Sequence, residues 1–312
     1  MKKKTLIFFI IIVSFISVNA QSNSIDSVKI AKKKIKQLKK AERKARNRYI
    51  LVNFGYNISK MKDQTVSPLL YKGAGVNYGV SYLRLDKKKV NFYDFNINNS
   101  SLNISNDEIT QSSASTLFKS YLNIYSLYGI TNIHNKVFFY FGWHFKNSFT
   151  TYINPKYMNS GYIFSGFSET GGTVRLDVPF SWKSKKSKFL FFKINRKERQ
   201  LRFSFMFGVP IFSHIFRPEY AGINNFVDGK SAPITHQASM IGKYMYLDSK
   251  IELLYELGNY NLIKLSYNWD FLHYDPGYNK IQAANHYFNV SFVIKLNKHQ
   301  KSINYVKEVN ND

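Results

Sequence analysis

Apolar and polar residues alternate with a period of two through most of this sequence, over stretches longer than the strands of ordinary soluble domains. In 262–271, Ile263, Leu265, Tyr267, Trp269 and Phe271 alternate with Lys264, Ser266, Asn268 and Asp270. In 201–208, Leu201, Phe203, Phe205 and Phe207 alternate with Arg202, Ser204, Met206 and Gly208, and 173–182 and 287–296 repeat the arrangement. Successive side chains of a strand point to opposite faces, so this period specifies strands with one apolar and one polar side. Ten such segments are predicted, near 49–58, 71–85, 90–104, 115–130, 137–149, 170–183, 200–213, 243–257, 262–273 and 283–296. Many exceed the ~5–6 residues of a globular strand and suit the ~9–11 that cross a membrane at a tilt.

The connections alternate in length. Long stretches at 59–70, 105–114, 150–169, 214–242 and 274–282 face tight turns at 86–89, 131–136 and 258–261, and only 184–199 breaks the rhythm. Long loops on one side and short turns on the other imply an antiparallel meander, with both termini on the short-turn side and therefore an even number of strands. Which face turns outward follows from the polar set. It is largely small and neutral, as in Gly73, Gly75, Asn77, Gly79 and Ser81, which suits a crowded lumen better than bulk water. The opposite set, drawn from 27 Phe, 23 Tyr and many β-branched residues, suits hydrocarbon and its interfaces. The expected fold is all-β: a closed antiparallel transmembrane β-barrel of about ten strands over 49–296.

On this register Asp248, Lys250, Glu252, Glu256, Lys264 and Asp270 point inward from two neighbouring strands, and Arg175, Asp177 and Arg202 from another pair. Opposite charges on adjacent strands can pair, so they are read as a lumen-filling ion network, with a transport path as the alternative. A barrel of this size keeps little open interior once side chains occupy it.

The flanks read differently. Residues 1–20 carry Lys2 to Lys4, an apolar run from Leu6 to Val18 and a small-residue site at Ala20, the pattern of a cleaved secretory signal. Residues 21–48 are expected to form a basic, weakly amphipathic periplasmic helix or a solvated tail, and 297–312 a polar periplasmic tail. The net charge of +26 is concentrated on the short-turn side. There the basic segment joins Lys185, Lys186, Lys188, Arg196, Lys197 and Arg199, whereas the long loops are nearly neutral. An anionic counterpart is expected for that face, either phospholipid head groups or an acidic periplasmic partner. Export makes nucleic acid an implausible partner.

Together these features resemble the Gram-negative outer-membrane β-barrel domain superfamily, including the small OmpA-like and porin-like barrels. The resemblance covers 49–296 and includes the last strand, Tyr287 to Ile294, which is similar to the C-terminal assembly signal of such proteins. It also includes the pair Leu176-Asp177-Val178-Pro179-Phe180 and Phe205 to Pro210. It implies residence in outer-membrane lipid and recognition by the insertion machinery, although here a polar tail follows the terminal strand.

Chemistry is sparsely signalled. His273-Tyr274-Asp275 is similar to a segment of lipid A deacylases, but Asp275 stands where the nucleophilic serine belongs. His144 and Ser148 share a face, which lumen hydrogen bonding explains. Cysteine is absent and the seven His show no metal-ligand spacing, so no metal site, cofactor or catalytic residue is predicted. The expected function is a non-enzymatic structural, ligand-binding or partner-binding role through external loops and a basic periplasmic face. A narrow channel for small or hydrophobic solutes and a lipid-modifying hydrolase are the alternatives.

Overall fold

A computed structural model of the chain describes residues 29–30, 32–37, 47–86, 88–104, 114–133, 136–182, 185–189, 192–196, 199–219, 222, 234–240, 242–257 and 261–296. Residues 29–30 and 32–37 are helical, inside the segment predicted to be a basic helix, and form part of a unit separate from the barrel. The signal peptide and the polar tail lie outside the described residues.

The second unit is a closed antiparallel barrel. Its strands are β1 (Asn47–Asp63), β2 (Ser67–Leu85), β3 (Lys89–Ile104), β4 (Ser115–Ile133), β5 (Val137–Ile153), β6 (Tyr162–Trp182), β7 (Lys185–Phe189), β8 (Phe192–Arg196), β9 (Arg199–Pro218), β10 (Ile234–Met240), β11 (Tyr244–Glu256), β12 (Leu262–Tyr274) and β13 (Ile281–Lys295). Neighbours in sequence pair from β1 to β6, β6 pairs with β9, and β11, β12 and β13 lead back to β1. β10 and β11 share one edge of β9, at Phe212–Pro218 and Leu201–Gly208 respectively, so together they make one stave and the barrel has ten. The stave is interrupted around Gly242, whose φ of 128° is left-handed backbone that glycine adopts without strain. β7 and β8 form a separate hairpin between β6 and β9.

The orientation of the faces is the predicted one. On β1, Tyr49, Leu51, Asn53, Asn57 and Ser59 are buried, while the alternate residues Ile50, Phe54, Tyr56 and Ile58 are exposed. Phe54 is 56% exposed, Val76 56% and Phe292 58%, on three adjacent strands. Burying one such side chain is worth ~1.5–3 kcal/mol, so a continuous belt of them is stable only against acyl chains. From Ile50 to Ile58 the belt is nine residues tall, about 30 Å along the strand, which matches a tilted crossing. The ladder is closed, so lipid meets no unpaired strand edge. The barrel is therefore built to span a membrane. Exposed Trp143 and Trp182 belong to the same outward surface.

The strands continue past this belt. Above Ile58 the outward residues of β1 are Lys60 and Lys62, and those of β3 are Asn99, Ser101 and Asn103, yet both strands remain paired. The stretches 59–70 and 150–169, read from sequence as loops, are mostly strand, with a tight turn at 64–66 and a 3-10 turn at Pro155–Gly161. Likewise 214–242 contains the end of β9 and all of β10, and 184–199 holds the β7–β8 hairpin. The outward face turns polar there, so the membrane-facing pattern is lost, but main-chain pairing needs no such pattern to persist. Inward glycines permit tight coiling: a Cβ on Gly75 would stand 1.9 Å from the Asn99 carbonyl oxygen of β3.

Candidate functional site

Three levels fill the lumen. At the short-turn end an apolar plug gathers the inward residues of nearly every strand: Leu51, Leu83, Leu85, Val90, Phe92, Leu127, Phe138, Tyr140, Leu254, Leu262 and Val293. These residues are the inward positions near the short-turn ends of the strands, so the plug closes the barrel at its short-turn mouth.

Above and beside the plug lies the ion network. The Arg175 Nε donates to Asp177 Oδ1 at 2.8 Å, its Nη2 donates to Ser204 Oγ at 3.0 Å, and its Nη1 lies 3.1 Å from Glu252 Oε2. Arg202 Nη2 stands 3.7 Å from the other Asp177 oxygen, and Lys264 donates to Glu252 Oε1 at 3.2 Å. Lys250 lies 3.5 Å from Glu252 and 3.8 Å from Asp94. Higher up, Lys119 donates to Asp270 Oδ2 at 3.0 Å, Lys146 approaches the same oxygen at 4.0 Å, and the Tyr125 hydroxyl donates to Asp248 at 2.8 Å. Neutral groups complete the lattice on the far wall. Asn53 donates to Ser81 Oγ at 2.7 Å, Ser81 to Asp94 at 2.6 Å, and Asn77 to Asn289 at 2.7 Å. Cations and anions balance: Lys119, Lys146, Arg175, Arg202, Lys250 and Lys264 face Asp94, Glu169, Asp177, Asp248, Glu252 and Asp270.

At the long-loop end the lattice gives way to a small cavity that opens outward. Its walls are Met61, Leu117, Tyr152, Ile163, Phe167, Leu272, Ile281 and Ala283, with Lys119, Glu169, Tyr244 and Tyr246 among its polar residues. Met61 and Asp63 on this wall are neighbours of the outward Lys60 and Lys62, so the cavity sits in the part of the barrel that projects beyond the apolar belt. Two apolar clusters shape it. One contains Met61, Tyr71, Leu102, Leu117, Tyr152 and Ile163, and the other contains Phe167, Ile215, Tyr244, Tyr246, Tyr274 and Ile281. The Pro155–Gly161 turn lays Tyr157 on the first, with the Tyr157 and Tyr71 hydroxyls 2.9 Å apart. The Asn154 side chain accepts the Lys156 N–H at 3.1 Å and Pro155 opens the turn, a capping arrangement written in the sequence.

All nine residues read as a lumen network lie on inward positions of β6, β9, β11 and β12. Arg175, Asp177, Arg202, Lys250, Glu252 and Lys264 are brought into one connected group, and Asp248 and Asp270 belong to the upper level. Glu256 lies at the inner rim, where its carbonyl accepts from Arg199 at 3.3 Å. Of the predicted basic face, Lys197 lies outside the described residues, and Lys185, Lys186, Lys188 and Arg196 fall on the β7–β8 hairpin. Sequence reasoning missed Asp94, Lys119, Lys146 and Glu169. Alternation points Asp94, Lys119 and Lys146 inward, but nothing in a linear chain shows that β3, β4 and β5 face β11 and β12 across the lumen, and Glu169 ends a stretch read as loop. His144 bonds to Thr173 Oγ1 at 2.8 Å. His273 Nδ1 lies 3.2 Å from Gln282, and Asp275 is held 2.7 Å from Lys280 and accepts the Gly277 N–H at 2.9 Å.

Wall and lumen define the class of molecule, a transmembrane β-barrel with a filled interior. No protein-family model matches the chain, and no curated protein matches it in sequence. Among solved structures it is similar to the outer membrane protease OmpT from Escherichia coli, at a TM-score of 0.43 and 10% identity over 80% of this chain and 96% of that one. It is also similar to Neisserial surface protein A, at 0.29 and 7% over 79% and 96%. A third is a deltaS2S3 mutant of TodX, a monoaromatic hydrocarbon channel, at 0.31 and 8% over 79% and 90%. The activities of those proteins remain theirs.

Proposed function

We propose that this barrel is a non-conducting, non-enzymatic binding protein that takes a small ligand from the external side into the cavity at its mouth. The observation that carries this reading is the combination of an open outer cavity with a floor of paired charges above an apolar plug. A conducting pore needs a continuous wet path, and charges that satisfy one another leave ions little to gain by entering. The cavity, with mainly apolar walls and a few convergent polar groups, has the make-up of a ligand site. Catalysis finds less support, because the partners of His273 and Asp275 are an amide, a lysine and a main-chain N–H rather than a nucleophile.

The chain has no cysteine, which makes a direct test simple. Thr150 lines the cavity and Leu254 lies in the plug. A membrane-impermeant maleimide added to intact cells is expected to label Thr150→Cys and to spare Leu254→Cys, and the unaltered protein is expected to give no current steps in planar bilayers. Conductance by the unaltered chain, or equal labelling of both cysteines, would overturn the reading.

A second reading concerns the opposite end. The register of the β7–β8 hairpin sets Lys185 opposite Arg196 and Lys188 opposite Lys193. Five of the ten strand residues of this hairpin are Lys or Arg, so such a segment gains from an anionic surface. We propose that it rests on anionic phospholipid head groups of the periplasmic leaflet.

A further inference from the structure

The rim of the outer cavity is fastened at one side chain. Arg217 stands one residue from the long-loop end of β9, is 4% exposed, and reaches three other pieces of the rim. Its Nη2 donates to the Asp63 carboxylate at 2.9 and 3.2 Å and to the Thr65 hydroxyl, and its Nη1 donates to the Asn279 carbonyl at 3.3 Å. Asp63 ends β1 and lines the cavity, Thr65 lies in the turn at 64–66, and Asn279 lies in the connection between β12 and β13. Three staves separate β9 from β1 on one side of the ring and five on the other, so the Arg217–Asp63 pair spans the lumen instead of following the ladder. Neighbouring bonds steady both anchors. The Asn279 amide donates to the Glu219 carbonyl just past β9 at 2.8 Å, and the Gln64 N–H donates to the Lys280 carbonyl at 3.0 Å.

From this geometry, and resting on the cavity-binding reading above, we infer that Arg217 is the gate of the outer cavity and limits the size of the molecule that enters it. The guanidinium makes its bonds through a side chain, so they can part while every strand of the wall stays paired. They include charge-assisted bonds to a carboxylate, roughly twice as strong as neutral ones, which keep the bar closed at rest. Its fixed fork of donors answers a carboxylate, a hydroxyl and a carbonyl together, a geometry that a lysine ammonium does not reproduce. A small molecule passes beside the bar, whereas a bulky one reaches Leu117 and Thr150 on the cavity wall only after the bar is released. The contact of Asp275 with Lys280 on the same connection, at 2.7 Å, is partly exposed and contributes little to the closure.

Full-length protein carrying Thr150→Cys, held in lipid nanodiscs, tests this with two reagents, N-ethylmaleimide and a bulky polyethylene-glycol maleimide. Asp63→Asn and Arg217→Gln are each expected to speed the bulky reagent about tenfold, the weight of one charge-assisted bond, and to leave the small reagent nearly unchanged. Arg217→Lys should fall between, and Lys280→Gln, which removes only the exposed contact, should change neither rate. Heat-modifiable gel migration verifies that each variant is folded, and Leu254→Cys in the plug should stay unlabelled in every background. Unchanged rates in folded Asp63→Asn and Arg217→Gln, with Thr150→Cys still reactive, would overturn the gate and leave the cavity reading standing. Equal acceleration of both reagents, or labelling of Leu254→Cys, would also overturn it, because the wall would then have loosened as a whole. Failure of all three gate variants to fold would make Arg217 a structural post instead. If Thr150→Cys never reacts with the small reagent, the cavity reading falls as well.

Discussion

Asp177 is fully buried between two arginines, and its role is decided by what surrounds it rather than by its own charge. One oxygen accepts from Arg175 at 2.8 Å and the other faces Arg202 at 3.7 Å, inside a wall that excludes water. Removing that single negative charge leaves two guanidinium groups facing each other with only Glu252 to answer them. Breaking a buried pair from one side costs about 3–5 kcal/mol, more than the intact pair contributes over an apolar substitute. Asp177→Asn is therefore expected to destabilise the barrel by about 3 kcal/mol or more, read from the urea midpoint of unfolding from lipid vesicles. A loss below about 1 kcal/mol, the worth of an ordinary hydrogen bond, would mean the charge is screened by penetrating water. The inward placement of Asp177 was legible from its position between Leu176 and Val178. Its pairing with Arg202 was legible too, because β6 and β9 adjoin in the strand rhythm. The link from Arg175 across to Glu252 was not, because it depends on lumen width, which no residue spacing encodes.

At the scale of elements, the ten staves were readable and their lengths were not. Period-two patterning reports a difference between two environments, so it ends where the membrane ends. β1 loses its apolar face after Ile58 but stays paired to β2 and β13 as far as Asp63. β10 was missed because its alternation is short and weak: Thr235, Gln237 and Ser239 alternate with Ile234, His236, Ala238 and Met240, and only the two end residues of that set are strongly apolar. The β7–β8 hairpin was hidden differently: its sequence is dominated by charge, and its strands are short. Its density of basic residues gives the element a testable preference. Full-length protein in which Lys185, Lys186, Lys188 and Lys193 are changed to Gln is expected to lose salt-sensitive adhesion to vesicles of anionic phospholipid, with about 1 kcal/mol lost for each charge near the surface. Adhesion that survives the substitutions, or that shows no dependence on salt, would remove the proposed role. Selective retention on an acidic protein instead of on vesicles would transfer the role to a periplasmic partner.

For the molecule as a whole, the decisive property is that its interior is closed by two unlike barriers in series. The plug excludes water because it is apolar, whereas the lattice above it excludes ions because its opposite charges are matched. The two fail under different insults, and neither alone should open the barrel. Leu127→Ser with Leu254→Ser wets the floor but leaves the lattice of Arg175, Glu252 and Lys264 in place. Glu252→Ala with Lys264→Ala loosens the lattice but leaves a dry floor beneath it. Each double variant is therefore expected to remain silent in planar bilayers, and the fourfold variant to conduct with weak ion selectivity, since the lumen carries no net excess of either sign. Folding of all three is verified by heat-modifiable migration before any current is recorded. Conduction by the plug variant alone would show that the lattice is permeable and that the apolar floor is the whole seal. A folded but silent fourfold variant would mean that the wall itself, coiled tightly enough to demand glycine at Gly75, is too narrow to conduct, and the two-barrier account would have to be given up.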